Sequence, residues 1–118
     1  RIEFVEADWT EGLAGGFHLI VSNPPYIPEA DVEQLEPEVR DFEPRLALAA
    51  GDDGFDAIRV IVAGGRELLA PDGHLLLELG AGQAETLGAL VDARGGLRVI
   101  DIRDDLQGIP RAAILERR

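Results

Sequence analysis

Phe17-His18-Leu19-Ile20-Val21-Ser22-Asn23-Pro24-Pro25-Tyr26 is an apolar run that ends abruptly in a rigid polar turn. The run from His18 to Ser22 reads as a strand, and its continuous apolar centre predicts burial on both faces. In open α/β sheets, ligands bind outside the carboxyl ends of the strands. The four residues Asn23 to Tyr26 stand where a ligand is expected.

Their chemistry suits a planar group bearing an NH2, such as an amide or a nucleobase amine. The lone pair of such a nitrogen is delocalised, so it attacks poorly unless it is held in line with an activated carbon. The Asn23 carboxamide offers an acceptor oxygen. Pro24 offers a backbone carbonyl and no N–H of its own. Two neighbouring acceptors can grip both hydrogens of the NH2 and leave its remaining face toward an alkyl donor. Pro24 and Pro25 fix two successive φ angles, and Asn23, as the residue before a proline, is itself restricted. Tyr26 can lie against the flat face of the bound group. A rigid Asn-Pro turn with Tyr26 as a packing residue is the plain structural alternative.

Working outward, residues 2–6 read as a short strand ending at Asp8-Trp9, followed by a glycine-bearing loop from Thr10 to Gly16. Beyond Tyr26 a long, proline-punctuated acidic segment runs to about Asp53. It has room for a short helix near Asp31–Leu35 and could form a wall or lid beside the turn. Gly54 to Leu69 reads as a helix with Ile58, Ile61, Val62, Leu68 and Leu69 in its apolar stripe, weakened by Gly64-Gly65. Pro71-Asp72-Gly73 is a turn. His74 to Leu79 is a second buried strand, Gln83 to Arg94 a helix ended by Gly95-Gly96, and Leu97 to Ile102 a strand. A loop from Asp104 to Pro110 leads to a last strand at Ala112–Leu115. No helix separates the last two strands, so they should form an antiparallel hairpin. The expected fold is α/β, a mostly parallel sheet with an antiparallel C-terminal end.

Composition narrows the function. A chain of 118 residues is one domain or part of one, and 46% apolar residues can build a core. The net charge of −12, from 23 acidic and 11 basic residues, opposes phosphate-driven nucleic-acid binding and anionic membranes. The acidic run from Glu29 to Glu43 could attract a basic partner surface, though a solvated loop is the better reading. With no cysteine there is no disulfide or thiolate metal site. His18 and His74 each open a strand-like run, which suits packing better than metal binding. No metal site is expected, and a cytoplasmic location is.

Phe17 through Pro28 resembles the core of the protein-glutamine methyltransferases that act on bacterial peptide chain release factors. The likeness continues through Glu43-Pro44-Arg45-Leu46-Ala47-Leu48, Gly51-Asp52-Asp53-Gly54-Phe55-Asp56, Leu75-Leu76-Leu77-Glu78-Leu79-Gly80 with Gln83, and Asp105-Leu106-Gln107-Gly108-Ile109-Pro110-Arg111. The tetrapeptide alone is shared with adenine-amino DNA methyltransferases and with ribosomal-protein glutamine methyltransferases. The extended pattern favours the release-factor family.

The resemblance implies a Rossmann-like class I methyltransferase using S-adenosylmethionine, with the glutamine of the Gly-Gly-Gln motif of release factors as substrate. It implies that Asn23 and Pro24 hold the glutamine amide as catalytic residues and that Pro25 and Tyr26 complete the pocket. It also implies that Asp8 and Trp9 sit at the adenine and that Asn23 lies near the methionine part of the cofactor. The family's glycine-rich cofactor loop, its ribose-binding acid and a helical domain precede the position of Asp8. Residues 1–118 are therefore expected to be the second half of a catalytic domain, lacking the N-terminal portion of the fold. The isolated chain is expected to bind the cofactor weakly and to show no turnover.

Other readings remain open. An adenine-amino DNA methyltransferase is the runner-up enzyme, opposed by the net charge of −12, and a ribosomal-protein glutamine methyltransferase is a further alternative. Glu78-Leu79-Gly80-Ala81-Gly82-Gln83-Ala84 follows a strand and opens a helix, and Asp101 lies about twenty residues on, so it could be the cofactor loop of a circularly permuted enzyme. A noncatalytic α/β module that binds a protein through the acidic segment is the reading from a different class.

Overall fold

A computed structural model of the chain describes residues 2–24 and 55–118. Among the described residues there are six elements, in the order β1 (Phe17–Ser22), α1 (Asp56–Leu68), β2 (Leu69–Glu78), α2 (Ala84–Arg94), β3 (Leu97–Asp104) and β4 (Pro110–Arg117). The strands form one sheet in the order β1-β2-β4-β3. β1 runs parallel to β2, as a strand–crossover–strand unit requires. β4 runs antiparallel to both of its neighbours, β2 and β3. The described sheet is thus mixed, with one parallel pairing and two antiparallel ones.

The helices form for the reasons their sequences suggest. α1 places Ile58, Ile61, Val62, Gly65 and Leu68 on one buried stripe, the three-and-four spacing of an amphipathic helix. The two glycines in its interior have separate packing reasons. A Cβ at Gly65 would stand 3.0 Å from Leu75 Cδ2, so glycine lets the helix settle closely on β2. A Cβ at Gly64 would stand 2.2 Å from Thr10 Oγ1 and 2.7 Å from Thr10 Cβ. The Trp9-Thr10 turn therefore docks on the helix at a place only glycine leaves open. α2 contributes Leu87 and Val91 to the core.

Both helices pack on one face of the sheet. Ile20, Leu75, Leu77, Ala113 and Leu115 point toward them, and with Ile58, Val62, Leu87, Val91 and Leu97 they make a single cluster. Arg117 at the end of β4 donates to the carbonyl of Leu69 at the start of β2.

Several expectations are corrected here. The strand expected at 2–6 is irregular chain, with Ile2, Phe4 and Val5 81%, 94% and 61% exposed. A lone extended segment gains nothing in water without a neighbour to pair with, and none lies beside it among the described residues. β1 was expected to be buried on both faces, yet Leu19 and Val21 are 57% and 68% exposed. Its one described neighbour is β2, so among the described residues it stands at the edge of the sheet. Its second face, which carries Leu19 and Val21 beside Leu76, is not covered by any described helix.

Pro71-Asp72-Gly73 falls inside β2, but the register jumps there: Phe17 pairs with Leu69, and Leu19 with His74. The turn interrupts the ladder without ending the strand. The short helix expected near Asp31–Leu35 lies outside the described residues.

Candidate active site

β1 sets the position of the first candidate group. Ser22 pairs with Leu77 in parallel register, so Asn23 and Pro24 leave the sheet beside Glu78 and Leu79, at the carboxyl ends of both strands. Asn23 is exposed and Pro24 is buried. Pro24 is thus part of the packing, while Asn23 beside it is accessible to solvent. Pro25 and Tyr26 lie outside the described residues.

The second candidate pair, Asp8 and Trp9, sits on a tight turn. Glu11 N–H donates to Asp8 O at 3.0 Å, and Leu13 N–H donates to Thr10 O at 3.3 Å. Trp9 has φ +55°, a left-handed conformation that is uncommon and costly for a bulky residue. The docking of Thr10 on Gly64 helps hold it there. Trp9 lines a cavity of about 300 Å³ together with Thr10, Ser22, Ile61 and Leu68. Tertiary structure therefore places Trp9 and Ser22 on the lining of one cavity, although thirteen positions separate them in the chain. Asp8 is exposed on the same turn.

The loop from Glu78 to Ala84 lies at the same end of the sheet. Gly80 N–H donates to Gln83 Oε1 at 2.8 Å, and Gln83 N–H donates back to Gly80 O at 3.2 Å. A phosphate-cradling loop aims such N–H groups at its ligand. Here the Gly80 N–H is taken by the loop's own glutamine, which weighs against this segment as a permuted cofactor loop.

A third feature lies at this end, in the segment read from the sequence as a loop and as the last stretch of the family resemblance. Asp105 closes the turn between β3 and β4: its Oδ1 accepts from Gln107 N–H at 2.8 Å and from Ile109 N–H at 3.0 Å. Its Oδ2 accepts from Arg111 Nε at 3.3 Å. These contacts hold the Asp105 carboxyl below its ordinary value of 3.8; the Ile109 N–H contributes most, partial burial opposes it, and Gln107 and Arg111 add to the lowering. The Arg111 Nη1 also reaches the carbonyl of Leu79, at 3.4 Å, and so ties the turn to the end of β2. An Asp three positions before a Gly in a short hairpin connection was the available signal for an Asx-type lock.

Comparison with known proteins places the chain. It is 48% identical over 118 residues to the release factor glutamine methyltransferase of Rhodospirillum rubrum, matching 100% of this chain and 36% of that protein. The protein of the same name from Geobacter sulfurreducens is 57% identical over 96 residues, 80% of this chain and 34% of its own length. By sequence, the chain is similar to part of the release factor glutamine methyltransferases. The relative from Deinococcus radiodurans agrees, at 47% identity over 110 residues. The chain spans little more than a third of the length of these curated relatives. No protein-family model matches it. Among solved structures, TrmN from Thermus thermophilus superposes with a TM-score of 0.61 at 17% identity, covering 99% of this chain and 29% of that one. The chain accordingly shares the α/β fold of the matching part of that protein.

Proposed function

We propose that the protein carrying this chain transfers a methyl group from S-adenosylmethionine to the side-chain amide nitrogen of a glutamine, the one in the Gly-Gly-Gln motif of peptide chain release factors. The observation that carries the proposal is the exposed Asn23 carboxamide at the carboxyl end of β1, set on a buried Pro24. Asn23 Oδ1 and the Pro24 carbonyl accept the two amide N–H bonds and fix the nitrogen's orientation. Pro25 and Tyr26 complete the pocket. Orientation is the main lever: the new C–N bond forms as the methyl–sulfur bond of the sulfonium breaks, and the nitrogen gives up one of its two protons to water.

The described residues fit the adenine end of the cofactor. Trp9 offers an indole beside an apolar cavity of about 300 Å³, which is the size at which small-molecule sites begin. The exposed Asp8 carboxylate can take an exocyclic amine. When bound, S-adenosylmethionine supplies an electrophilic methyl on a sulfonium, whose leaving group departs neutral. On this reading the chain is the second half of a catalytic domain. Release factors are the protein partners, direct nucleic-acid binding is not expected at a net charge of −12, and the location is cytoplasmic. Among the described residues no helix is long and apolar enough to cross a membrane.

The test is Asn23→Ala in the protein at the full length of its relatives. Transfer of labelled methyl to a release factor should fall by about a hundredfold, the scale of a misplaced reacting group, with the circular dichroism spectrum unchanged. Activity within threefold of the parent refutes the assignment. A noncatalytic binding module would show no transfer in either protein.

A further inference from the structure

We propose that the β3–β4 turn, Asp105 to Ile109, is a docking contact for the protein substrate, with Leu106 as its apolar anchor. This rests on the methyltransferase reading above. Leu106 is 107% exposed, more than any other large apolar side chain among the described residues. A single exposed leucine carries little meaning by itself. What distinguishes this one is the rigidity of its support. Asp105 N–H donates to Ile109 O at 2.9 Å, and Gly108 N–H donates to Asp105 O at 3.1 Å. The Asp105 carboxylate accepts from Gln107, Ile109 and Arg111. Gly108, at φ +79°, takes the left-handed conformation that lets the turn close. A loop fixed at so many points presents its tip without an ordering cost on binding, which is how preorganised recognition elements gain affinity.

Position supplies the second line. β4 is antiparallel to β2, with Ala112 opposite Glu78, so the turn that precedes β4 projects beyond the carboxyl end of β2. Asn23 leaves the sheet at that same end. β4 and β3 are the second and third strands over from β1, and strands lie about 4.8 Å apart, so the turn stands roughly 10–15 Å to the side of the Asn23 strand. A glutamine side chain alone cannot reach across that distance; a folded protein presenting the glutamine on a loop can touch both. An apolar side chain at the tip calls for an apolar hollow beside that loop on the substrate. Arg111, bridging Asp105 and the Leu79 carbonyl, acts as a positioning residue that holds the turn to the site end of β2.

The experiment uses the protein at the full length of its relatives with an intact release factor, measuring KM and kcat separately. Leu106→Ser should raise KM for the release factor about tenfold, the loss expected when about half of a leucine's transfer free energy is removed. It should leave kcat at saturation within twofold and the affinity for S-adenosylmethionine unchanged. Leu106→Met should restore KM to within twofold of the parent. Among the described residues the side chain is fully solvated, and each variant should keep the parent's circular dichroism spectrum. An unchanged KM in Leu106→Ser, with the parent active, overturns the docking contact and leaves the methyltransferase reading standing. A fall in kcat at constant KM also overturns it. A parent that methylates no release factor removes the reading and this proposal together.

Discussion

The seat of Thr10 on Gly64 sets a local rule against a tertiary one. In the interior of α1, glycine is less favourable than alanine by about 1 kcal/mol, so helix propensity alone makes Gly64→Ala stabilising. The structure predicts otherwise. The new Cβ would meet Thr10 Oγ1, Cγ2 and Cβ at 2.2, 2.6 and 2.7 Å. Rotating the threonine does not relieve this, because its own Cβ is among the atoms in the way. The Trp9-Thr10 turn must move bodily, and overpacking of this kind costs roughly 1–3 kcal/mol.

The net expectation for Gly64→Ala is therefore between no change and about 2 kcal/mol of destabilisation. In a Thr10→Gly background the clash is gone and the same change should stabilise by about 1 kcal/mol. A double-mutant cycle by urea unfolding reads the difference as a coupling of about 1–3 kcal/mol. Trp9 is the single tryptophan, so its fluorescence reports whether the turn has lifted off the helix: the emission should shift to the red in Gly64→Ala. A cycle that closes to within about 0.3 kcal/mol, with unshifted emission, refutes the docking of this turn.

Two stability measurements follow from the same packing and hydrogen-bonding picture. Leu77 is 1% exposed at the centre of the sheet, and Leu77→Ala should cost about 2–5 kcal/mol in thermal or urea unfolding; a loss below about 1 kcal/mol contradicts the core described. The Asp105 carboxyl titrates below its ordinary value of 3.8, so its support of the β3–β4 turn is full above that value and is lost as pH falls through the lower, folded one. Amide exchange at Gln107 and Ile109 should therefore be slow at neutral pH in the parent and faster in Asp105→Asn, with the two proteins converging in strong acid. Equal exchange at pH 7 contradicts the lock.

Most local elements were readable from the residues. The stripe of Ile58, Ile61, Val62 and Leu68 declared α1, and the missing helix after Leu97 declared the β3–β4 hairpin. The hairpin's place was less accessible. Sequence supplied the pairing of β3 with β4, but only the fold slid β4 between β2 and β3, where Ala113 and Leu115 meet Leu77 and Leu75. Small and branched side chains fit many neighbours equally well, so the choice is made by the packed whole. The strand expected at 2–6 failed for a related reason: an alternating pattern records what a segment could do beside a partner, and no partner strand stands there among the described residues.

For the candidate site the division is similar. The order of Asn23, Pro24, Pro25 and Tyr26 after an apolar run already implied an acceptor pair at a strand's exit, because backbone restriction by proline is a property of the covalent chain. That Asn23 faces solvent while Pro24 is buried depended on the parallel register of β1 against β2. Trp9 could reach a cavity shared with Ser22 only because Gly64 leaves a seat for Thr10. The Asp105–Arg111 brace likewise needed two strand ends brought side by side. Sequence determined which groups can accept, donate or stack; long-range packing decided which of them share a space, since distances between remote residues are set by the sheet and not by the chain.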